Sequence, residues 1–194
     1  MRQILFFPFI LLFFSAIGQT DTVVVQYDST FTSLLSRRLN DKRTAVKYTM
    51  EERGNIRDVR VYLSSLEEMV SGRKMYGIRI DTRGNRNLFT DAPLIQAEYI
   101  DEDEIPVFIE RLEFISNKIQ TDADAERYTE YRFYTRGGIA LECYTGLNRW
   151  RVVIMYEMNK EMVYTYLNNE GRLNDLLVLL KEIEKEIKVR RSVK

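Results

Sequence analysis

One apolar pattern occurs twice in this chain at a fixed separation of 68 residues. In both copies most of the apolar residues follow one another at three or four positions and one pair is adjacent, which places their side chains on one face of an α-helix. The matched positions are Ile105 and Leu173, Phe108 and Leu176, Ile109 and Leu177, Leu112 and Leu180, Ile115 and Ile183, and Ile119 and Ile187. The pattern therefore predicts two equivalent amphipathic helices in an internally duplicated chain.

Runs of alternating apolar and polar residues precede each helix, as expected for strands with one buried face. Two glycine-containing segments are predicted turns between such strands. They are Arg53-Gly54-Asn55 in the first half and Arg136-Gly137-Gly138 in the second. Each half therefore reads as four strands followed by a helix. The sequence predicts an α+β fold of two tandem ββββα repeats, in which each antiparallel meander sheet carries its C-terminal helix on one face.

The duplication also predicts the domain organisation. We expect a single domain over residues 45–194, with repeats at 45–120 and 128–190, preceded by a lead-in segment at 19–44. In the lead-in, residues 22–27 predict a short edge strand and residues 34–39 predict a helical turn or two.

Further expectations concern the two helices themselves. The first helix is predicted from about residue 102, with Asp101 or Asp103 as its N-cap and Pro106 in its first turn. The second helix, from about residue 170 to 189, carries the additional apolar residues Val178 and Leu179. We therefore expect the second helix to be the more deeply buried.

Residues 1–18 have the pattern of a secretory signal peptide. Arg2 provides a positive start, an apolar core extends to Phe14, and small residues precede a cleavage point before Gln19. The apolar core is too short to cross roughly 30 Å of hydrocarbon. We therefore expect a soluble exported protein, periplasmic or secreted, with no transmembrane segment after signal cleavage.

The composition removes most familiar catalytic schemes. The chain has no histidine, and Cys143 is its one cysteine, so nucleophilic triads and zinc or iron sites lack their residues. The acidic run from Asp101 to Glu104 lacks the glycine-centred loop of a calcium site. We predict no catalytic residue, no metal site and no cofactor, and we expect Cys143 to be a buried core residue.

One sheet face of the second repeat carries residues typical of a recognition surface. If the helix covers the face with Leu141, Cys143, Val152, Ile154, Val163 and Leu167, alternation places tyrosines and charged residues on the other face. Tyrosine and arginine are enriched in binding interfaces. The candidate binding residues are Arg132, Tyr134, Glu142, Tyr144, Arg151, Tyr164 and Tyr166. The alternative is that this face packs against the other repeat or the lead-in segment.

The segment from Tyr99 to Ile105, together with Phe108 to Ile115, resembles a motif of uncharacterised exported bacterial proteins with tandem ββββα repeats. This resemblance covers about one repeat and brings no catalytic residue with it. In topology alone, a tandem ββββα chain is similar to the Whirly and PUR single-stranded nucleic-acid-binding proteins, in which two such units pair. That second resemblance implies a nucleic-acid partner bound by basic and aromatic residues of a sheet.

These observations favour an exported non-enzymatic binding or structural protein that presents a sheet surface to a protein or small ligand of the cell envelope. Two alternatives stay open. The first is an enzyme that uses carboxylate, tyrosine and arginine side chains without histidine or a metal. The second is a single-stranded nucleic-acid-binding module, against which the formal net charge of zero argues.

Overall fold

A computed structural model of the protein describes residues 22–25, 32–83, 95–121, 128–146, 149–158, 161–167 and 170–193. The predicted signal peptide lies outside these ranges, as does the whole loop at 84–94 between the third and fourth strands of the first repeat. Within the described ranges, no helix is both long enough and apolar enough to cross a membrane.

The order of helices and strands repeats along the chain. After a short strand and a short helix, β1 (Thr22–Val25) and α1 (Leu34–Leu39), two successions of four strands and a helix follow. The first comprises β2 (Val46–Ile56), β3 (Val59–Glu68), β4 (Lys74–Arg83), β5 (Ile95–Asp101) and α2 (Ile105–Thr121). The second comprises β6 (Glu130–Tyr134), β7 (Ile139–Gly146), β8 (Arg149–Met158), β9 (Glu161–Tyr166) and α3 (Glu170–Ser192). The predicted α+β fold with two ββββα units is confirmed.

Each unit forms its own antiparallel sheet. The first sheet has the order β2-β3-β4-β5, and the second has the order β6-β7-β8-β9 with β1 added at the edge beside β6. The pairing of β1 with β6 is parallel, with Thr22 opposite Glu130. The edge strand predicted in the lead-in is thus confirmed, and its partner is the second unit.

Both helices and one face of each sheet share a single apolar core. The first unit contributes Val61, Ile78 and Leu112 among others, and the second unit contributes Leu141, Ile154 and Leu180. The hydroxyl of Tyr156 donates to the carbonyl oxygen of Ile80 at 3.0 Å and so links the two units inside this core. The face on which the helices pack is therefore also where the units join.

Cys143 lies in this shared core with no exposed surface, as predicted. Burial raises the pKa of its thiol to about 12, since the apolar surroundings disfavour the thiolate. A thiol of that kind is chemically inert near neutral pH.

The first predicted turn is wrong. Arg53-Gly54-Asn55 does not turn, because β2 continues through it with a bulge between Glu52 and Gly54. A Cβ atom at Gly54 would lie 2.9 Å from Leu179 Cδ2, so this glycine allows α3 to approach the strand closely. The chain reverses at Arg57 and Asp58 instead, with Arg57 at φ 58°. The turn predicted at residues 136–138 is confirmed, with Gly138 at φ 82°.

The predicted cap of the first helix is also wrong. Helix α2 begins at Ile105, with Pro106 in its first turn as expected. The Asp101 carboxylate instead accepts the backbone N–H groups of Leu34, at 2.7 Å, and Leu35, at 3.1 Å. This carboxylate thus accepts two of the N–H groups that lack partners at the N-terminus of α1, a helix distant in sequence. The Asp103 carboxylate pairs with the guanidinium of Arg136.

The expected deeper burial of the second helix is not supported at its extra apolar positions. Val178 is 56% exposed, and Leu179 is half-buried where it contacts Gly54. The apolar repeat positions Leu173, Leu176, Leu180, Ile183 and Ile187 are all buried. Helix α3 therefore has the same narrow apolar stripe as α2, as the repeated pattern predicts.

Candidate functional site

All of the predicted binding residues lie on the face of the second sheet that points away from the helices. We call this set, Arg132, Tyr134, Glu142, Tyr144, Arg151, Tyr164 and Tyr166, the tyrosine face. The strand register arranges it in rows across β6, β7, β8 and β9. One row is Arg132, Glu142, Val153 and Tyr166, the next is Tyr134, Ala140, Met155 and Tyr164, and a third joins Tyr144 to Arg151.

Arg132 is neutralised by two carboxylates at the β6 side of the tyrosine face. Its Nη2 atom lies 2.7 Å from Glu130 Oε1 and 2.7 Å from Glu142 Oε2. Burial raises the pKa of Glu142, and the attraction of Arg132 opposes that rise. This group holds β6 against β7, and because one guanidinium faces two carboxylates, it leaves a single negative charge uncompensated.

The tyrosines form a second group at the β9 side. The hydroxyls of Tyr144 and Tyr166 are 3.3 Å apart, and the ring of Tyr164 meets that of Tyr166 edge to face, with centroids 5.5 Å apart. Arg151 is the cross-strand partner of Tyr144. Tyr164 is 37% exposed, whereas Tyr134, Tyr144 and Tyr166 are half-buried. The rings are thus held in place by one another.

A small apolar centre lies between these two groups. Ala140, Val153 and Met155 are buried, and Tyr134, Tyr144 and Tyr166 pack against them. This cluster contains residues of the second sheet alone and is separate from the core that both units share. The alternative that the tyrosine face is the seam between the repeats is therefore wrong for the described residues, because the apolar contact between repeats is made on the opposite face.

Sequence reasoning missed two members of the site, Glu130 and Tyr128. The Tyr128 hydroxyl donates to Glu130 Oε2 at 2.6 Å, and the Tyr128 ring lies 6.3 Å from that of Tyr144. Glu130 could have been found, since it lies two residues before Arg132 in a strand and so shares its face. Tyr128 precedes the strand, but the same alternation extended by two residues from Glu130 would have reached it.

A cavity of about 270 Å³ lies next to the tyrosine face, between the start of α2 and the end of β6. Tyr134 lines both. The other walls include Val107, Phe108, Arg111, Phe133 and Arg136. The Arg111 guanidinium lies over the Phe133 ring at 5.4 Å, which places a cation beside the apolar part of the wall. The carboxylates of Asp103 and Glu104 also line the cavity and pair with Arg136.

Comparison of the chain with protein-family models, with curated proteins and with solved structures gives no match. Among the described residues, no group of three acidic, cysteine or histidine side chains could hold a metal ion.

The tyrosine hydroxyls give a pH dependence that can be measured. A hydrogen bond to Glu130 raises the pKa of Tyr128 to about 12, and burial with a hydrogen bond to Tyr166 raises that of Tyr144 to about 12. Each of these hydroxyls has a folded-state pKa above its unfolded value of about 10. Its contribution to the free energy of unfolding is therefore fully present below pH ~10 and is lost as the pH rises toward 12. We expect urea midpoints to fall over that interval, together with delayed tyrosinate absorbance.

The double variant Tyr128→Phe with Tyr144→Phe supplies the control for this titration. It should show a smaller fall in urea midpoint over the same interval, because phenylalanine cannot ionise. An unchanged pH profile in the double variant would mean that these two hydroxyls do not cause the effect.

Proposed function

We propose that the protein is an exported, non-enzymatic binding protein whose tyrosine face docks a protein partner. The observation that carries this proposal is the group of interlocked tyrosines around a small apolar centre, with the exposed ring of Tyr164 at its edge. An apolar centre with a polar margin is the usual composition of a protein interface.

The rigidity of these rings favours binding. Side chains that are already ordered lose little conformational entropy when a partner docks, and a tyrosine contributes both ring area and a hydroxyl. Here Tyr166 contacts both Tyr144 and Tyr164, so the group is ordered before any partner arrives. The partner surface that fits best is apolar with hydrogen-bonding groups, and it carries no strong charge, because Glu130 and Glu142 balance the charges of Arg132 and Arg151 on this face.

The cavity beside Tyr134 favours a small ligand as a second candidate. Its apolar wall of Val107, Phe108 and Phe133 and the Arg111 guanidinium suit an aromatic or aliphatic carboxylate. The Asp103 and Glu104 carboxylates, which also line the cavity, are paired with Arg136. The two candidates differ in the residues that they need, since the small ligand depends on Arg111 and the protein partner depends on Tyr164 and Tyr166.

Site-specific photo-crosslinking in the native host tests the protein partner. With benzoylphenylalanine in place of Tyr164, we expect a discrete crosslinked complex, because this side chain would lie at the partner's surface. Benzoylphenylalanine in place of Phe114 is the matched control, since Phe114 is also 37% exposed but lies on α2. The Phe114 position should give no such complex.

A second change shows whether the complex depends on the tyrosine group. Tyr144→Ala with Tyr166→Ala, combined with the crosslinker at position 164, should reduce the complex by about tenfold or more, as expected for central aromatic anchors. The same complex at both crosslinker positions, or no loss on removal of the two tyrosines, would contradict a role for the tyrosine face.

A further inference from the structure

The end of the first sheet that carries the turn between β3 and β4 is both basic and apolar at its surface. Residues 69–74 are exposed without interruption, and Val70 in the turn is 93% exposed. Met69 precedes it, and Arg73 and Lys74 follow. This exposed apolar pair follows Glu67 and Glu68 and precedes Arg73 and Lys74, and an apolar pair so exposed close to basic residues favours a partner that covers it.

Helix α1 and the segment after it lie at the same end of the molecule. The backbone N–H of Met69 donates to the carbonyl oxygen of Ala45 at 2.9 Å. Arg38 of α1 lies 3.5 Å from the Glu68 carboxylate, at the end of β3. We call this end of the molecule, formed by residues 34–45 and 68–75, the arginine end.

A cavity of about 270 Å³ opens between α1 and the turn, lined by Leu34, Arg37, Arg38, Asp41, Arg73 and Met75. Arg38 forms ion pairs with Asp41, at 3.7 Å, and with Glu68. Among the described residues, Arg37 and Arg73 have no carboxylate partner. Two free guanidinium groups at one cavity suit a phosphate, which a guanidinium can bind through two parallel hydrogen bonds.

The surrounding charge has the same sign. Lys42, Arg43 and Lys74 are exposed at the arginine end, and the carboxylate of Asp41 already contacts both Arg38 and Arg43. Basic side chains next to exposed apolar ones match an anionic lipid surface, where phosphates attract the cations and the interfacial region accepts the apolar groups.

We propose that the arginine end docks on an anionic lipid surface. Arg37 and Arg73 bind headgroup phosphates, and Met69 and Val70 enter the interfacial region beside them. This proposal does not depend on the tyrosine face, which belongs to the second sheet.

Vesicle sedimentation with the full chain tests the proposal. We expect stronger binding to vesicles of phosphatidylglycerol and phosphatidylcholine than to vesicles of phosphatidylcholine alone, and weaker binding as salt is added. The same preference is expected for the chain from Gln19 onward, from which Arg2 and the apolar residues 4–14 are absent. A preference that requires residues 1–18 would overturn the proposal.

Matched variants separate a defined site from general charge attraction. Arg37→Gln with Arg73→Gln should weaken binding roughly 30-fold, since each basic residue near an anionic surface raises affinity about fivefold. Arg57→Gln with Lys185→Gln removes the same charge from exposed positions outside the arginine end and should change affinity by less than about twofold. An equal loss in both pairs would overturn the proposal.

Two further measurements complete the test. Met69→Ser with Val70→Ser should weaken binding about fivefold without changing the charge, and it decides the matter if the arginine variant fails to fold. Inorganic phosphate alone, titrated without vesicles, should bind only weakly, with a dissociation constant of about 1 mM or above, because it lacks the apolar region that Met69 and Val70 enter. Tight binding of free phosphate that is lost in Arg37→Gln with Arg73→Gln would identify a soluble phosphate ligand and overturn lipid docking, as would the absence of any preference for phosphatidylglycerol.

Discussion

Leu180→Ala should lower the free energy of unfolding by roughly 2–5 kcal/mol, because it leaves a cavity in the core that both units share. Leu180 has no exposed surface and lies in the apolar stripe of α3, which packs against α2 and β2. Urea denaturation followed by circular dichroism measures the change. The melting temperature should fall by about ten degrees for a domain of this size.

Val178→Ala is the control for this variant, since it shortens an apolar side chain in the same helix at an exposed position. Its effect should stay within about 0.5 kcal/mol. If the two changes destabilised the protein equally, the packing of α3 described above would be wrong.

Gly77→Ala should destabilise the protein by about 1–3 kcal/mol, because a Cβ atom at this position overlaps two neighbours. It would lie 2.7 Å from the carbonyl oxygen of Ile100, and it would also overlap Leu35 Cδ1. Helix α1 is short, and Leu35 is its buried anchor on the first sheet, so the change should loosen α1 first. Hydrogen exchange of the α1 amides, together with urea denaturation, measures both effects.

Gly146→Ala is the matched control, because Gly146 also lies in a strand but a Cβ atom there has no neighbour closer than 3.5 Å. We expect its unfolding free energy to stay within about 0.5 kcal/mol of the native value. Unchanged protection of α1 in Gly77→Ala would show that Leu35 does not depend on the glycine.

The parts of the fold that were predictable are those with a local periodic signal. The helix stripe at Leu173, Leu176 and Leu180 and the strand alternation at Leu141 and Cys143 each repeat over several residues, and both are buried as expected. The tyrosine face followed from the same alternation, since residues on one face of a strand share a direction whatever covers the other face.

The parts that were missed depend on contacts between distant residues. Asp101 was expected to cap the helix that follows it, but the three-dimensional fold brings its carboxylate to α1. Gly54 looked like a turn residue, but it serves the approach of Leu179 from the far end of the chain. A single sequence carries no periodic signal for such contacts, because each involves one residue and a partner that only the tertiary structure supplies.

The parallel pairing of β1 with β6 affects the order in which the molecule can be completed. Strands β2 to β5 follow one another along the chain, so the first sheet can assemble as its strands emerge during synthesis. Val24 is among the earliest described residues made, yet its strand partner, Arg132, appears only after the whole first unit. Closing so long a loop is slow, so the edge of the second sheet should be among the last parts of the protein to form.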